Sequence, residues 1–355
     1  MKRIGILYSE LAGYTIACLR YLKMKYDTKI LLIRWKTAEN APFDFDCLHL
    51  IEGDYVRDDL SVSDIIKLLE EFDPQALYIS GWMDKGYLKI GKIFKNRNIP
   101  VIAGLDSQIK NSIKQHLGTL IGRSYLKRCI DLLWVPGERQ AQFARKLGYN
   151  GDRLLYGLYS CDWEKFSSIY KKRGPAKPGR FLYVGRLISI KGIEQLVEAY
   201  QIYRKNTESP WELYIAGRGP MENEINGIEG IHYKGFLQPS ELPSLMEECG
   251  VFILPSINEP WGVVIQEAAA AGMPVICSDA CGAGVHLVQN NYSGFVFQTG
   301  NAKDLAYRMT SITKLNESRF KSMGSASYEL SKQFSPAIWA ETLMSGIEEY
   351  YKRKL

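Results

Sequence analysis

The sequence predicts an α/β protein built from two doubly wound domains, each with a parallel sheet between layers of helices. Short β-branched or apolar segments alternate with helical patterns along the chain, which is the rhythm of repeated βαβ units. At 355 residues the chain is longer than one hydrophobic core usually supports, because domains average about 150 residues. The alternation of strand and helix patterns is interrupted once near the middle of the chain and then resumes. We therefore expect two Rossmann-like domains.

The first predicted domain spans residues 1–170, and the Pro/Gly/Lys-rich stretch 171–179 suits neither a helix nor a strand, so we interpret it as the linker. The second domain spans 171–334. Residues 335–355 predict a terminal helix that packs back on the first domain. We expect the two domains to face across a cleft, where the carboxyl ends of parallel strands bind ligands. The strand candidates are 3–8, 29–33, 76–79, 100–103, 131–135, 181–184, 212–216, 231–234, 251–254, 274–277 and 294–297.

Composition excludes several classes of protein. The chain is 46% hydrophobic and 24% charged, and no apolar run approaches the roughly 20 residues of a membrane-spanning helix. The apolar stretch at the N-terminus is too short for a signal peptide, so we expect a cytoplasmic protein. A net charge of +6 is too small to indicate nucleic acid, although it favours anionic ligands or membranes. The seven cysteines lack disulfide or zinc spacing, and we expect no metal at the nearest pair, Cys277 and Cys281.

A phosphate-binding pattern follows the first strand of the second domain. Gly185 allows a tight turn, and Arg186 and Lys191 place two cations before the next helix, which suits a phosphate or diphosphate. Two surface cations are the alternative. Glycines 217 and 219 follow the next strand, but Met221 and the residues after it lack the third glycine of a dinucleotide fingerprint, which argues against a nicotinamide-dependent dehydrogenase.

Two carboxylates bracket the start of a predicted helix in the stretch EPWGVVIQE, which begins at Glu259 and ends at Glu267. Gly262 permits a close approach of the backbone, and the helix that follows offers free amides and a positive dipole to an anion. Glu259 and Glu267 are then placed to accept hydrogen bonds from hydroxyls on either side of a diphosphate. This arrangement suits a nucleotide sugar, although a capping or salt-bridged role for Glu267 stays open.

In these motifs and their order, the second domain resembles the retaining, nucleotide-sugar-dependent glycosyltransferases of the GT-B fold, in particular family 4, glycosyl transferases group 1. The resemblance implies that Arg186 and Lys191 hold the donor diphosphate, that Glu259 contacts hydroxyls of the donor sugar, and that Glu267 binds the ribose. It also implies backbone or base contacts along the donor, which fall on Gly185, Gly217, Gly219, Phe236, Gly262, Val263 and Val264.

The same resemblance implies a mechanism without a metal or other cofactor. Negative charge develops on the diphosphate as the sugar departs, and Arg186, Lys191 and the helix amides stabilise it. The leaving diphosphate accepts the proton of the acceptor hydroxyl, which gives front-face substitution with retention. Asp44 and Asp46 form a DxD pattern, but we expect no metal there. The donor is uridine- or guanosine-linked, and the pathway is synthesis of a surface polysaccharide or glycolipid.

The first domain matches this family less closely. The loop after the first strand keeps only Gly13 of the usual glycines, beside Glu10, and Asp106 stands near the place of the family's histidine. Asp106 either takes over part of that role or caps the next helix. Trp82 follows another strand end and either stacks on an acceptor sugar or packs in the interior. A scaffold that binds a nucleotide sugar or a glycan without transfer is therefore the alternative function.

Residues 108–128 interleave apolar and basic side chains, as helices on anionic membrane surfaces do. An ordinary amphipathic helix with a solvated basic face is the alternative. The membrane interpretation predicts a lipid-linked saccharide acceptor and peripheral contact at the inner face of the membrane. The basic residues of this segment are Lys110, Lys114, Arg123, Lys127 and Arg128.

Overall fold

The structure, a computed structural model, describes residues 2–36, 51–109, 122–172 and 179–355. The chain divides into two compact units. The first consists of Met1–Ser160 and Pro336–Leu355, and the second of Cys161–Ser335. Each unit contains a parallel sheet with helices. The prediction of two Rossmann-like α/β domains is confirmed.

The first unit has strands in the order β3-β2-β1-β4-β5-β6-β7. All pairings in it run parallel. Ile4 of β1 pairs with Ile30 of β2 on one side and Ala76 of β4 on the other, so the order reverses between β1 and β4. The strands are β1 Arg3–Tyr8, β2 Lys29–Arg34, β3 Gly53–Val56, β4 Ala76–Ile79, β5 Val101–Gly104, β6 Leu132–Val135 and β7 Leu154–Tyr156.

A hydrophobic core covers each face of this sheet. Ile30 and Leu32 point into one core, whereas Leu31 and Ile33 point into the other, because side chains alternate along a strand. Helices α1 and α13 supply apolar side chains to the first core, and α2, α3, α4 and α5 to the second. These helices are α1 Gly13–Tyr26, α2 Val62–Phe72, α3 Lys85–Asn96, α4 (residues 122–129), α5 Glu138–Lys146 and α13 Pro336–Lys352.

The second unit has strands in the order β10-β9-β8-β11-β12-β13. Its order reverses between β8 and β11, and ligands bind at such switch points beyond the carboxyl ends of strands. The strands are β8 Arg180–Val184, β9 Glu212–Ala216, β10 Ile231–Tyr233, β11 Val251–Leu254, β12 Val275–Ser278 and β13 Gly294–Phe297. The helices are α6 Trp163–Lys172, α7 Ile193–Lys205, α8 Leu242–Glu248, α9 Val263–Ala270, α10 Gly284–Leu287, α11 Ala302–Thr313 and α12 Glu317–Ser331.

The boundary between the units differs from the predicted one at 170. It falls after Ser160, because α6 packs against α8, α9 and α12 of the second unit. Much of the predicted linker, residues 173–178, lies outside the described residues. Two strands were also not predicted from sequence, β3 and β7. Both are short strands at the edges of the first sheet, where a strand pairs on one side only and needs few apolar side chains.

The terminal helix α13 belongs to the first unit and packs against α1, as predicted. Its Trp339 is buried, the indole Nε1 donates a hydrogen bond to the Leu158 carbonyl oxygen at 2.9 Å, and its ring centroid lies 4.8 Å from that of Trp134. The helix thus completes one of the two cores of the first unit. In the described residues, no helix combines the length and hydropathy that crossing a bilayer would require.

We expect Trp339→Ala to lower the free energy of unfolding by about 3–5 kcal/mol, because it empties a large buried site. Trp339→Phe should cost less, about 1–2 kcal/mol, since it keeps one aromatic ring in the core while it loses the indole hydrogen bond and part of the ring volume. Urea denaturation followed by circular dichroism measures both. Equal losses in the two variants would contradict the importance of ring packing.

Candidate functional site

Loops at the carboxyl edge of the second sheet lie in direct backbone contact. Gly217 has φ +140°, and a Cβ there would lie 1.8 Å from the Gly185 carbonyl oxygen, so no other residue fits. The same two loops are joined by a hydrogen bond from the Leu187 amide to the Arg218 carbonyl oxygen at 2.8 Å. A Cβ at Gly219 would lie 2.2 Å from the Leu187 carbonyl oxygen. The glycines predicted from sequence therefore hold the β8 and β9 loops together.

Arg186 lies in this surface with its backbone fixed from beneath. The hydroxyl of Tyr183, a fully buried residue, donates a hydrogen bond to the Arg186 carbonyl oxygen at 2.9 Å. Burial raises the pKa of Tyr183 well above its usual range, so the phenol stays a proton donor. The Arg186 side chain is exposed and forms no ion pair with the described residues. Its guanidinium is therefore available to an anion.

Lys191 and Glu259 form an ion pair between the loops after β8 and β11. Their side chains are only 17% and 10% exposed, and the Ser256 hydroxyl donates to Glu259 Oε2 at 3.2 Å. Gly192 is the N-cap of α7 and has φ +73°. A Cβ at this position would lie 2.1 Å from the Pro255 carbonyl oxygen. The close approach of these two loops creates the pair.

Helix α9 begins beside this ion pair. Gly262 is its N-cap, and Glu259 Cγ lies 3.1 Å from the position of a Cβ at Gly262. The first turn contains no acidic residue and no side chain caps it. The amides of Val263 and Val264 have no acceptor within the helix because they are its first two. The positive end of α9 and the Lys191 ammonium therefore border the same surface, as an anion site requires.

Glu267 lies further along α9 and is partly buried. Burial raises the pKa of its carboxyl to about 7, while nearby Lys165 lowers it and Asp162 raises it. Within the described part of the chain, no hydrogen bond or ion pair reaches this carboxyl. The described residues therefore provide neither the amide that a capping role of Glu267 requires nor the cation that a salt bridge requires. A ligand hydroxyl would supply a hydrogen bond to this carboxyl.

Aromatic and basic side chains lie at the outer end of this edge. The Arg218 guanidinium carbon is 5.9 Å from the centroid of the partly buried Phe236 ring, and Tyr233 donates to the Gly217 carbonyl oxygen at 2.9 Å. Arg218 forms no ion pair with residues in the described ranges. Sequence reasoning named Phe236 but missed Arg218, Tyr183 and Ser256. The GRG pattern was a signal for Arg218.

The carboxyl edge of the first sheet carries a separate polar cluster. Tyr8 ends β1, Tyr78 lies in β4, Tyr14 lies in α1, and the Tyr159 hydroxyl donates to Asp106 Oδ2 at 3.2 Å. Burial raises the pKa of Tyr8 to about 12. Tyr78 is 3% exposed, and its hydroxyl has no hydrogen-bond partner among the described residues. Sequence reasoning found only the carboxylate. Tyrosines near strand ends were the available signal.

The other site residues predicted in the first unit are Gly13, Glu10 and Trp82. Gly13 begins α1 and Glu10 is exposed in the loop before it. Trp82 packs against the core that contains α3, which agrees with the packing alternative, and stacking on a sugar stays a prediction. The residues that would form a helix after Asp106 lie outside the described residues, so its capping alternative stays open. The same is true of Asp44, Asp46, Lys110 and Lys114.

The predictions of no disulfide framework and no cysteine-bound metal apply to cysteines of both units. The six cysteines in the described ranges are free and buried, and they include Cys277 and Cys281. Across those ranges, no group of three or more His, Cys, Asp and Glu side chains is arranged to hold a metal ion. The absence of a metal requirement in the reaction stays a prediction.

The second unit is similar to a known family of proteins. Residues 166–329, nearly all of the second unit, match the family model of glycosyl transferases group 1. No curated protein matches the chain. The family match covers the loops that carry Arg186, Lys191, Glu259 and Glu267.

Solved structures resemble the whole chain. Anabaena HepE in complex with UDP has a TM-score of 0.75 at 18% identity, covering 98% of this chain and 100% of its own. Sucrose-phosphate synthase from Thermosynechococcus elongatus has a TM-score of 0.74 at 16% identity, covering 99% and 100%. A glycosyltransferase from Rickettsia africae has a TM-score of 0.75 at 15% identity, covering 99% of both chains. The chain has the GT-B fold, as the sequence predicted.

We expect Glu267→Gln to change how stability depends on pH. The folded-state pKa of about 7 lies above that of an unfolded glutamate, so this group favours the folded state most at low pH. That contribution is full below about pH 4.5 and is lost as pH rises through about 7. Relative to the variant, the wild type should therefore lose on the order of 2 kcal/mol over this range.

Denaturation at intervals from pH 4.5 to 8 measures this difference, with Glu208→Gln at an exposed position as the matched control. A wild-type and Glu267→Gln difference that stays constant over the range would contradict the raised pKa.

Proposed function

We propose that this protein transfers a sugar from a nucleoside-diphosphate sugar to a saccharide or lipid-linked saccharide, with retention of anomeric configuration. The observation that carries the proposal is the Lys191–Glu259 ion pair beside the start of α9. A cation, a carboxylate and free helix amides meet there at a sheet edge. A nucleotide sugar suits all three groups. Its diphosphate is a partner for the cation, its sugar hydroxyls for the carboxylate, and its phosphate oxygens for the amides.

Each part of the donor has a matching group. The diphosphate accepts hydrogen bonds from Arg186, Lys191 and the first amides of α9. Glu259 accepts hydrogen bonds from the sugar hydroxyls. The Glu267 carboxylate accepts them from the ribose, and the Phe236 ring stacks on the base. HepE has been solved with UDP, with UDP and glucose, and with UDP-glucose, which favours a uridine donor over a guanosine donor.

Catalysis would come from charge stabilisation. As the bond between the anomeric carbon and the phosphate oxygen breaks, the diphosphate gains negative charge and the sugar becomes cationic. Lys191 and Arg186 stabilise the diphosphate in the transition state more than in the bound donor. Because Lys191 is only 17% exposed, water screens its charge weakly. These groups do the work that a bound metal ion does in other transferases, so we propose a metal-independent reaction.

Retention and the acceptor are the finer parts of the proposal. The leaving diphosphate takes the proton from the attacking hydroxyl on the same face of the sugar. We assign acceptor binding to the first domain, where the Asp106 carboxylate accepts a hydrogen bond from Tyr159. The hydroxyl of the buried Tyr78 has no hydrogen-bond partner among the described residues. A lipid-linked acceptor would place the protein at the inner face of a membrane, in the synthesis of a surface polysaccharide or glycolipid.

We expect Lys191→Met to lower kcat/KM for donor turnover by about 10–100-fold, because a charge-assisted contact to phosphate contributes about 1.5–3 kcal/mol. Hydrolysis of UDP-glucose, GDP-mannose and related donors over hours provides the assay, and calorimetry measures binding of UDP or GDP. Lys303→Met is the matched control, since this exposed lysine of α11 forms no ion pair with any residue that the structure describes.

A second variant separates the sugar from the phosphates. Glu259→Gln should weaken binding of the nucleotide sugar without weakening binding of the free nucleotide, because the sugar hydroxyls lose a charged acceptor while Lys191, released from its ion pair, still contacts the diphosphate. Equal turnover in wild type and Lys191→Met would contradict the proposal. Donor binding without hydrolysis or transfer to any acceptor would instead support the alternative, a scaffold that binds nucleotide sugars.

Metal independence has its own test. We expect donor hydrolysis in EDTA to stay within about twofold of the rate in Mg²⁺ or Mn²⁺, since protein cations and helix amides balance the diphosphate charge. Activity that disappears in EDTA and returns with Mg²⁺ would show that a metal ion takes part, and would overturn this part of the proposal.

A further inference from the structure

A cluster of three cations lies on the first unit, apart from the donor-binding residues of the second. Arg123 and Lys127 are four residues apart on α4 and so lie on the same helix face. A Cβ at Gly148, just after α5, would lie 2.6 Å from Lys127 Nζ and 2.8 Å from Arg123 Nε. The two cationic nitrogens are therefore within about 5.4 Å of each other. Since Gly148 has no side chain, the space between them stays open.

Arg153 is the third member of this cluster, which we call the basic cluster. Its Nε donates a hydrogen bond to the Asp131 carbonyl oxygen at 3.1 Å, and its guanidinium carbon lies 5.1 Å from the centroid of the Tyr149 ring. These contacts hold Arg153 in place. Burial lowers the pKa of Lys127, and the charges of Arg123 and Arg153 lower it further. Lys127 therefore lies within electrostatic reach of both arginines, and its Nζ and Arg123 Nε both border Gly148.

No carboxylate in the described residues forms an ion pair with the basic cluster. Asp131, whose carbonyl oxygen accepts from Arg153, pairs through its carboxylate with Lys95, and Asp152, the neighbour of Arg153 in sequence, pairs with Arg353. The preceding segment, 110–121, contains no Asp or Glu in its sequence, so it supplies no countercharge. Like charges held together destabilise a fold, and a bound anion would remove that cost.

We propose that Arg123, Lys127 and Arg153 form a binding site for a phosphate group. Arginine forks and a lysine ammonium together donate hydrogen bonds in several directions, which suits a tetrahedral oxyanion. The site lies near the amino ends of β6 and β7, since Asp131 and Arg153 directly precede them, whereas Asp106 follows the carboxyl end of β5. It is therefore distinct from the polar cluster around Asp106, and it does not depend on the proposed transferase activity.

Two sources can supply this phosphate: a soluble phosphorylated compound or the headgroup of an anionic lipid. The full-length protein is titrated with inorganic phosphate by calorimetry at constant ionic strength, which removes general screening effects. It is also sedimented with vesicles of phosphatidylcholine alone and with added phosphatidylglycerol. Binding to phosphate identifies a soluble ligand, and binding only to the anionic vesicles identifies a headgroup.

The double variant Arg123→Gln/Lys127→Gln tests the site. Arg20→Gln/Lys89→Gln is the matched control, because it removes the same charge from exposed positions of the first unit that form no ion pair within the described ranges. We expect the cluster variant to lose at least tenfold in affinity for the bound probe and the control to stay within twofold.

Three outcomes would overturn the proposal: neither phosphate nor anionic vesicles bind, both double variants lose affinity equally, or the cluster variant binds as the wild type does. Thermal unfolding confirms that each variant is folded. Donor hydrolysis is measured in parallel, and its expected preservation in both variants separates failure of this site from failure of the proposed function.

Discussion

The candidate donor site depends on the close approach of backbones at the carboxyl edge of the second sheet. Gly217 lies against the Gly185 carbonyl, and Gly192 lies against that of Pro255. A single methyl group at either position would force apart loops that follow different strands. Because these contacts fix the backbone, Arg186, Lys191 and Glu259 keep their relative positions without a ligand to organise them. Such preorganisation is what electrostatic catalysis requires.

The Lys191–Glu259 ion pair brings two opposite charges together in a poorly exposed part of the candidate donor site. An isolated charge in a position so poorly exposed would be costly, and each side chain of the pair supplies the other's countercharge. Bound donor would offer both of them new partners, a phosphate to the lysine and a hydroxyl to the carboxylate. Glu267 differs from this pair because it has no protein partner in the described residues. Its raised pKa expresses the cost of that burial.

The two sheets use different chemistry at corresponding edges. The second presents glycines, cations and a helix N-terminus, which suit an anion. The first presents tyrosines around Asp106, all of them neutral donors or acceptors apart from the carboxylate, which suit an uncharged hydroxylated ligand. Three of its cations, the basic cluster, lie instead near the amino ends of β6 and β7. The corresponding edges of the two sheets therefore differ in the ligand chemistry that they suit.

Sequence by itself determined the alternation of strands and helices, the two-domain organisation and the donor motifs. Buried parallel strands read as apolar runs, and glycines that a close approach demands stand beside them in sequence. It did not reveal β3 and β7, whose edge positions relax the apolar pattern, or the placement of α6 in the second unit. Only tertiary structure decided that Lys191 pairs with Glu259, that Tyr159 binds Asp106 and that Arg153 joins Arg123 and Lys127. These partners come from different loops and helices, and sequence spacing carries no information on which loops a sheet brings together.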